Sequence, residues 1–545
     1  MKRVRMLALV GVALLGTACA DLAVENLNAP DRERAISTPG DVESLISGAF
    51  LSAWRGMHEW APGPALSTAA DEHTASWGNF MMKDISSEPR QAINNDPSYS
   101  YSYVIEDPWF FSYSALAAIR DGLLAIQGGV EIGTNGADTH RAETFARFVQ
   151  GWALGHLALI YDKAFILDET TDLETAEMQP YTEVMNAALG YLDQAISMSG
   201  QSFTIPSSWM ANVEVTNTEL AGIAHAYKAR FMASVGRTKA ERDAANWSAI
   251  KSEAQQGIEF IPVGDGFPWF GGVWFDVLKT YGGTRPGWSR VDLAMLGPAD
   301  QSGAWQQWEA FNAAGQYSKQ EPFDIDTDDA RYPDNVGGSS TPYYLYEGPS
   351  PFRPERGIYH FSPYGDNRWK AFNANNAIGN MDEIIQEELD LLVAEAELRA
   401  GNTQAAVDLI NKTRVANGGL PALTTSGTSG ARCTPRKANG SCGDVWDALK
   451  YEKRHEVWHT GTGIAFFDDR GWEDLRPNTP IQFPVPGKEL LVLLQDIYTF
   501  GGGGEGSAPD IISDVDFDFN KIAERAKIFE KINHANTAAP AAWMH

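Results

Sequence analysis

The segment His455-Glu456-Val457-Trp458-His459 has H-E-x-x-H spacing. On a helix, two histidines four residues apart share a face and can hold Zn²⁺, with the intervening glutamate as general base. A catalytic zinc also needs a third protein ligand and an open position. The metzincin extension would put Gly at 462 and His at 465, where this chain has Thr462 and Ala465. The next downstream glutamate, Glu473, follows Phe467-Asp468-Asp469-Arg470-Gly471 with no helical pattern to carry it. The expectation is a helix face carrying two histidines, with no metal centre.

Other chemistry is sparser. Asp324, Asp326 and Asp328 alternate as in a calcium loop, but position six is Asp329 rather than Gly, and position twelve is Asn335 rather than Glu. A solvated acidic loop is expected there, and Asp514, Asp516 and Asp518 share the defect. No P-loop, dinucleotide fingerprint or G-x-S-x-G elbow occurs. His156 falls on an apolar helix face and reads as a packed core histidine. Cys433 and Cys442 bracket a polar loop without further Cys or His at ligand spacing, so a loop-stapling disulfide is expected rather than a metal site. No catalytic residue, metal ligand or cofactor is assigned from sequence.

The elements that must position these residues belong to a chain of 545 residues, 43% hydrophobic and 11% aromatic, which is enough to bury a large core. The formal net charge is −28, and it falls by three to −31 without Lys2, Arg3 and Arg5. Such a surface repels phosphate backbones, so nucleic acid is excluded as a partner. Residues 1–18 have the basic, apolar and small-residue order of an export signal, and the apolar run from Met6 to Leu15 is too short to span a bilayer. Cys19, directly after Gly16-Thr17-Ala18, fits a bacterial lipobox, so a lipidated (palmitate-type) cysteine and a polar tether to residue 36 are expected.

Thr38-Pro39-Gly40-Asp41 opens a helix, with Thr38 as cap and a face of Leu45, Ala49, Ser52 and Ala53. Apolar residues at three-four spacing mark four more. They are Phe145 to Ile160, Leu220 to Phe231 stopped by Gly236, Trp247 to Ile258, and Ile385 to Ala396 ended by Gly401-Asn402 and followed by Ala406 to Thr413. Helices joined by short turns, with alanines at the approaches, read as pairs of tetratricopeptide type. Residues 262–380 differ: 22 are aromatic, 18% against 11% overall, amid Gly and Pro. The fold class expected is mainly α, with helix pairs, a single unit over 37–500, an irregular insertion at 262–380, and a glycine-rich loop and loosely packed tail from 501 to 545.

Several segments then resemble one family in order. Asn26-Leu-Asn-Ala-Pro30 after the lipidated cysteine is similar to the start of SusD/RagB-type lipoproteins. So are the helix pair from Glu387 to Val415, Glu452-Lys-Arg-His-Glu456 followed by Phe467-Asp468-Asp469-Arg470, and the late Pro484-Val-Pro486-Gly-Lys-Glu489-Leu490. Asp329-Ala330-Arg331 is similar to a mid-chain Asp-Pro-Arg of the family, with Ala for Pro. The resemblance implies a non-enzymatic lipoprotein on the outer face of an outer membrane, binding oligosaccharide or peptide and delivering it to a SusC-like TonB-dependent transporter. It places the ligand site in the loop after the first helix and in the insertion. There, Trp77 and Phe80, with Trp269, Trp274, Trp288, Trp305 and Trp308, would stack on ligand, while Asp71, Asn79 and Arg90 would orient it. Two other readings stay open: a surface zinc peptidase using residues 455–459, and a helical-repeat scaffold that binds no small ligand.

Overall fold

A computed structural model describes residues 38–74, 78–282, 290–349 and 360–509. The calls at Cys19, Asn26–Pro30, Trp77, Trp288 and Asp514–Asp518 lie outside them, as do the signal, the tether and residues 510–545.

The chain is mainly α. Its long helices are α1 (Pro39–His58), α2 (Tyr103–Gln127), α3 (Thr139–Ile160), α4 (Tyr181–Met198), α5 (Asn217–Ser234) and α6 (Trp247–Gln256). Inside the insertion lies α7 (Ala304–Ala313), and after it come α8 (Gln386–Arg399), α9 (Thr403–Ala416), α10 (Val445–Glu456) and α11 (Ile464–Trp472). Helix starts follow side-chain capping. The Thr38 hydroxyl accepts from the Asp41 amide, and Thr216 with Glu219, like Asp444 with Asp447, forms a reciprocal capping box. Successive helices pack as pairs, α1 on α2, α3 on α4, α5 on α6 and α8 on α9, and each pair leans on the next. Small residues set these approaches. A Cβ at Gly155 of α3 would lie 2.1 Å from the Phe231 ring of α5, and one at Gly151 would lie 2.6 Å from Leu192 of α4.

The helix spans match the sequence pattern closely, with two differences. The buried face of α1 is Val42, Ile46, Phe50, Ala53 and Trp54, so Leu45 and Ser52 sit at its edge. Helix α6 ends at Gln256, and Ile258 instead packs from the following segment against Gly222.

The insertion holds short strands: β1 (Val263–Asp265), β2 (Arg290–Asp292), β3 (Tyr344–Tyr346), β4 (Phe361–Asp366) and β5 (Ile378–Asn380). β1 pairs with β5, and β2 and β3 flank β4, all antiparallel. It has its own core, in which Trp305, Trp308, Tyr332, Tyr344 and Tyr364 meet Tyr451 and Trp458. Much of the aromatic enrichment therefore fills space beneath irregular backbone. The glycine run is also tighter than expected. Ala92 bridges to Gly501, Ile93 donates to Phe500, and Gly502 donates to Asn478, so residues 500–509 are stitched to two neighbouring segments.

The family-like motifs converge in buried ion networks. Arg331 reaches Asp329, Glu452 and Glu456 at 2.7–2.9 Å. Arg242 pairs with Glu395 (2.7 Å) and Asp468 (3.0 Å), and Asp468 also pairs with Lys453 (2.7 Å). Arg470 donates to the carbonyls of Leu159, Ser234 and Ile481. These groups are charged and nearly sealed from water, so each must keep its partners. Their spacing in sequence is a structural signature that ties α10 and α11 to the insertion and to α5.

Candidate functional site

The H-E-x-x-H segment makes no metal centre. Helix α10 ends at Glu456, and His459 lies beyond it in the left-handed region (φ 51°), so the two histidines do not share a helix face. His455 Nδ1 bonds to the Tyr451 carbonyl and Nε2 to the Tyr332 hydroxyl, both at 2.9 Å. Burial, reinforced by Arg331, holds its pKa down to about 3, so the ring is neutral. His459 stacks on Trp458 and bonds Asp366 through Nδ1 (2.9 Å). Glu456, the would-be base, accepts from Arg331, Tyr343 and Asn417. The acidic loop is likewise spoken for. Arg432 clamps Asp326 and Asp328, and Tyr346 donates to Asp324. His156 is a core histidine, bonded to the Trp152 carbonyl and edge-on to Phe231. Cys433 and Cys442 form the disulfide, with Cα atoms 5.6 Å apart.

The proposed stacking residues separate into three environments. Trp269 is 50% exposed and its neighbour Phe270 75% exposed. Trp269 stacks on Phe267 (4.5 Å, 14°) and on Trp60 (6.0 Å, 26°), and Trp60 runs parallel to Phe80 (6.5 Å, 11°). Phe80 meets Tyr103 edge-on, followed by Tyr101 and Tyr99 at 6.3 and 5.6 Å. A row of rings thus runs from Trp269 to Tyr99, which itself lines a groove of about 340 Å³ with Met81, Asp84 and Asn94. Asn79, beside Phe80, is half-buried at this row.

Trp274 is placed differently from the expectation. It is buried against Phe50 and Trp54 and offers no face to a ligand, because the chain there packs on the side of α1, where Trp54 Nε1 donates to the Phe275 carbonyl. Trp305 and Trp308 are buried as well, and a Cβ at Gly297 would fall 1.9 Å from the Trp305 ring. Trp305 nevertheless edges a cavity of about 560 Å³, lined also by Asp71, Glu309, Lys450, Arg454 and Arg476. Trp308 lies beneath the Arg476 guanidinium (5.7 Å).

Asp71 is paired with Arg90 and, through its other oxygen, with Arg476 (3.0 Å), so Asp71 and Arg90 are not free to orient an oligosaccharide or peptide. Segment 71–74 runs along β2: Thr74 donates to Arg290, Asp292 donates to Glu72, and His73 bridges to Val291. The Leu293 amide, just past β2, in turn donates to the carbonyl of His360, the residue before β4. Three adjacent segments thereby gather Asp71, Asp292 and His360, with Asp71 and His360 both at positive φ (51° and 58°). His360 Nδ1 is 3.3 Å from both aspartates and Nε2 is 3.2 Å from Glu88. Burial pushes the imidazole pKa down, but Asp292, Glu88 and Asp71 outweigh it and hold the ring well above 6.5. Burial pushes Asp292 up to about 7, whereas Arg90, His360 and Arg476 overcome burial at Asp71 and keep it ionised. A second group, His58, Asp276 and Glu383, has ligand-like spacing, but Lys279 Nζ lies 2.7 Å from Asp276 and already supplies the cation.

Of the residues expected at the ligand, Asn79, Phe80 and Trp269 lie in this row, but Phe80 is buried in the core beneath it rather than open to a ligand, and Trp60, Phe267, Tyr99, Tyr101 and Tyr103 were not among those expected. The Tyr-x-Tyr-x-Tyr alternation of 99–103 was a legible signal. Nothing local marks His360, Glu88 or Arg476, which reach the aspartates only through tertiary pairing.

No family model matches the chain, and no curated protein does. Solved structures do resemble it. A SusD superfamily protein from Bacteroides vulgatus is 12% identical, with 84% of this chain and 97% of that one covered at a TM-score of 0.50. One from Bacteroides thetaiotaomicron is 14% identical (83% and 96% covered, TM-score 0.51), and a SusD-like protein from Bacteroides fragilis is 14% identical (87% and 97%, 0.50). The chain has the SusD-like fold.

Proposed function

We propose that this protein is a SusD/RagB-type lipoprotein that captures oligosaccharide at the outer face of an outer membrane and passes it to a SusC-like TonB-dependent transporter. The observation that carries this reading is the ring row from Trp269 to Tyr99. Sugar rings present C–H faces that stack on exposed aromatics, and hydroxyl rims that bond to carboxylates and amides such as Asp84 and Asn79. Rings already stacked on one another lose little freedom when a ligand arrives. The SusD-like fold, the export signal with its lipobox cysteine and the acidic, soluble-type surface support the same reading. An exposed apolar run, Leu491, Val492 and Leu494, is a surface of the kind a membrane-embedded partner would cover. Binding proceeds without catalysis, since every group of the H-E-x-x-H segment is already engaged.

A peptide ligand is the second reading, favoured by the larger cavity, whose rim carries both Lys450 and Arg436 and both Glu309 and Asp474. A panel of oligosaccharides and peptides screened by tryptophan fluorescence and thermal shift separates the two. Saturable binding of glycans alone is the expected result; binding of peptides alone replaces the first reading with the second. Protease shaving of intact cells should cleave the protein, and full protection would contradict a surface role.

A further inference from the structure

The cluster at Asp71, Asp292 and His360 has the makings of a cation site that goes beyond ligand capture. Three features converge. First, His360 Nδ1 is 3.3 Å from Asp71 Oδ1 and 3.3 Å from Asp292 Oδ2. Those separations exceed a good N–H···O hydrogen bond, yet they match the edge of a tetrahedron with 2.0–2.1 Å metal bonds, about 3.3–3.4 Å. Second, the other imidazole nitrogen faces Glu88 at 3.2 Å. A carboxylate behind a ligating histidine fixes its tautomer and raises its basicity, the usual outer partner of a metal-bound imidazole. Third, Asp71, Glu88, Asp292 and Glu309 bring four carboxylates, against two guanidiniums, Arg90 and Arg476. With all four ionised and His360 neutral, two negative charges remain, which is the charge of one divalent ion.

We infer that Asp71, Asp292 and His360 form a Zn²⁺-class divalent-cation site, with Glu88 orienting the histidine. The ion would sit on Nδ1 of a neutral His360 and on one oxygen of each aspartate, and would supply both missing charges. A single imidazole with two carboxylates suits Zn²⁺ better than Ca²⁺ or Mg²⁺, which favour all-oxygen shells. Asp71 also lines the 560 Å³ cavity, so the cluster borders that cavity on its Asp71 side. Arg90 and Arg476 pair with Asp71 and would back the ligating carboxylate from behind. Bound metal would cross-link three adjacent segments, 71–74, β2 and the start of β4.

The test uses the purified full-length protein, dialysed against chelator and titrated with ZnCl₂ and, separately, CoCl₂. The expected result is one saturable equivalent with a rise in Tm, and an intense four-coordinate Co²⁺ visible spectrum. Asp292→Asn should abolish the binding, and Glu88→Gln, which leaves all three ligands in place, should weaken it 10- to 100-fold. The absence of saturable binding overturns the inference. So does binding unchanged in Asp292→Asn, or a weak six-coordinate Co²⁺ spectrum in the unsubstituted protein, which stands even if the variants fail to fold.

Discussion

At the scale of single residues, spacing identified the groups and burial decided what they do. His455 and His459 have the separation of metal ligands, but the helix stops between them, and each ring is satisfied by protein partners. The missing third ligand was visible in the sequence; the helix end after Glu456 was not, because no glycine or proline marks it before Gly461. The buried neutral His455 has a consequence for stability. With its pKa held down to about 3 against an ordinary 6.5, the unfolded chain binds more protons between those values, so stability falls as pH drops through that window. His455→Gln removes this component. Denaturant melts should show the unsubstituted protein losing up to about 1.4 kcal/mol per pH unit more than the variant below pH 6.5. Asp292, raised to about 7, acts with the opposite sign in both proteins and cancels in the difference.

At the scale of elements, the helix pairs were the most legible part of the chain. Apolar spacing and glycine stops gave the buried faces of α3, α5, α8 and α9, with ends up to six residues short, because these faces are specified locally. The insertion was recognised only by its texture. Its strands are three to six residues long and take their register from one another and from segment 71–74, which no local pattern encodes. That is why Trp274 was expected at the ligand surface and Trp60 was overlooked. Helix packing makes a prediction with a built-in control. Gly155→Ala drives a methyl into the Phe231 ring and should destabilise by about 1–3 kcal/mol, read from the urea midpoint. Gly190→Ala, in α4 with nothing within 4 Å of the new methyl, should instead stabilise by up to about 1 kcal/mol. Equal effects at the two sites would contradict the packing described for α3 and α5.

At the scale of the whole molecule, charge and architecture assign separate tasks. The net charge of −28 excludes a polyanion partner, and no described helix is long and apolar enough to cross a membrane. The helix pairs form a rigid base whose interior ion networks are closed. The ring row and the larger cavity are the concave or exposed features left for a ligand, and both draw on the stretch just after α1, at Asp71 and Phe80. The central claim is that the aromatic row, reached at its exposed Trp269 end, holds the ligand. Isothermal titration of an oligosaccharide selected by the binding screen, against the unsubstituted protein and Trp269→Ala, tests it most directly. Half-exposed Trp269 can be truncated with little effect on folding, so equal Tm values and at least a tenfold weaker affinity in the variant are predicted. Unchanged affinity in a variant of unchanged Tm would contradict the account and move the ligand away from the row.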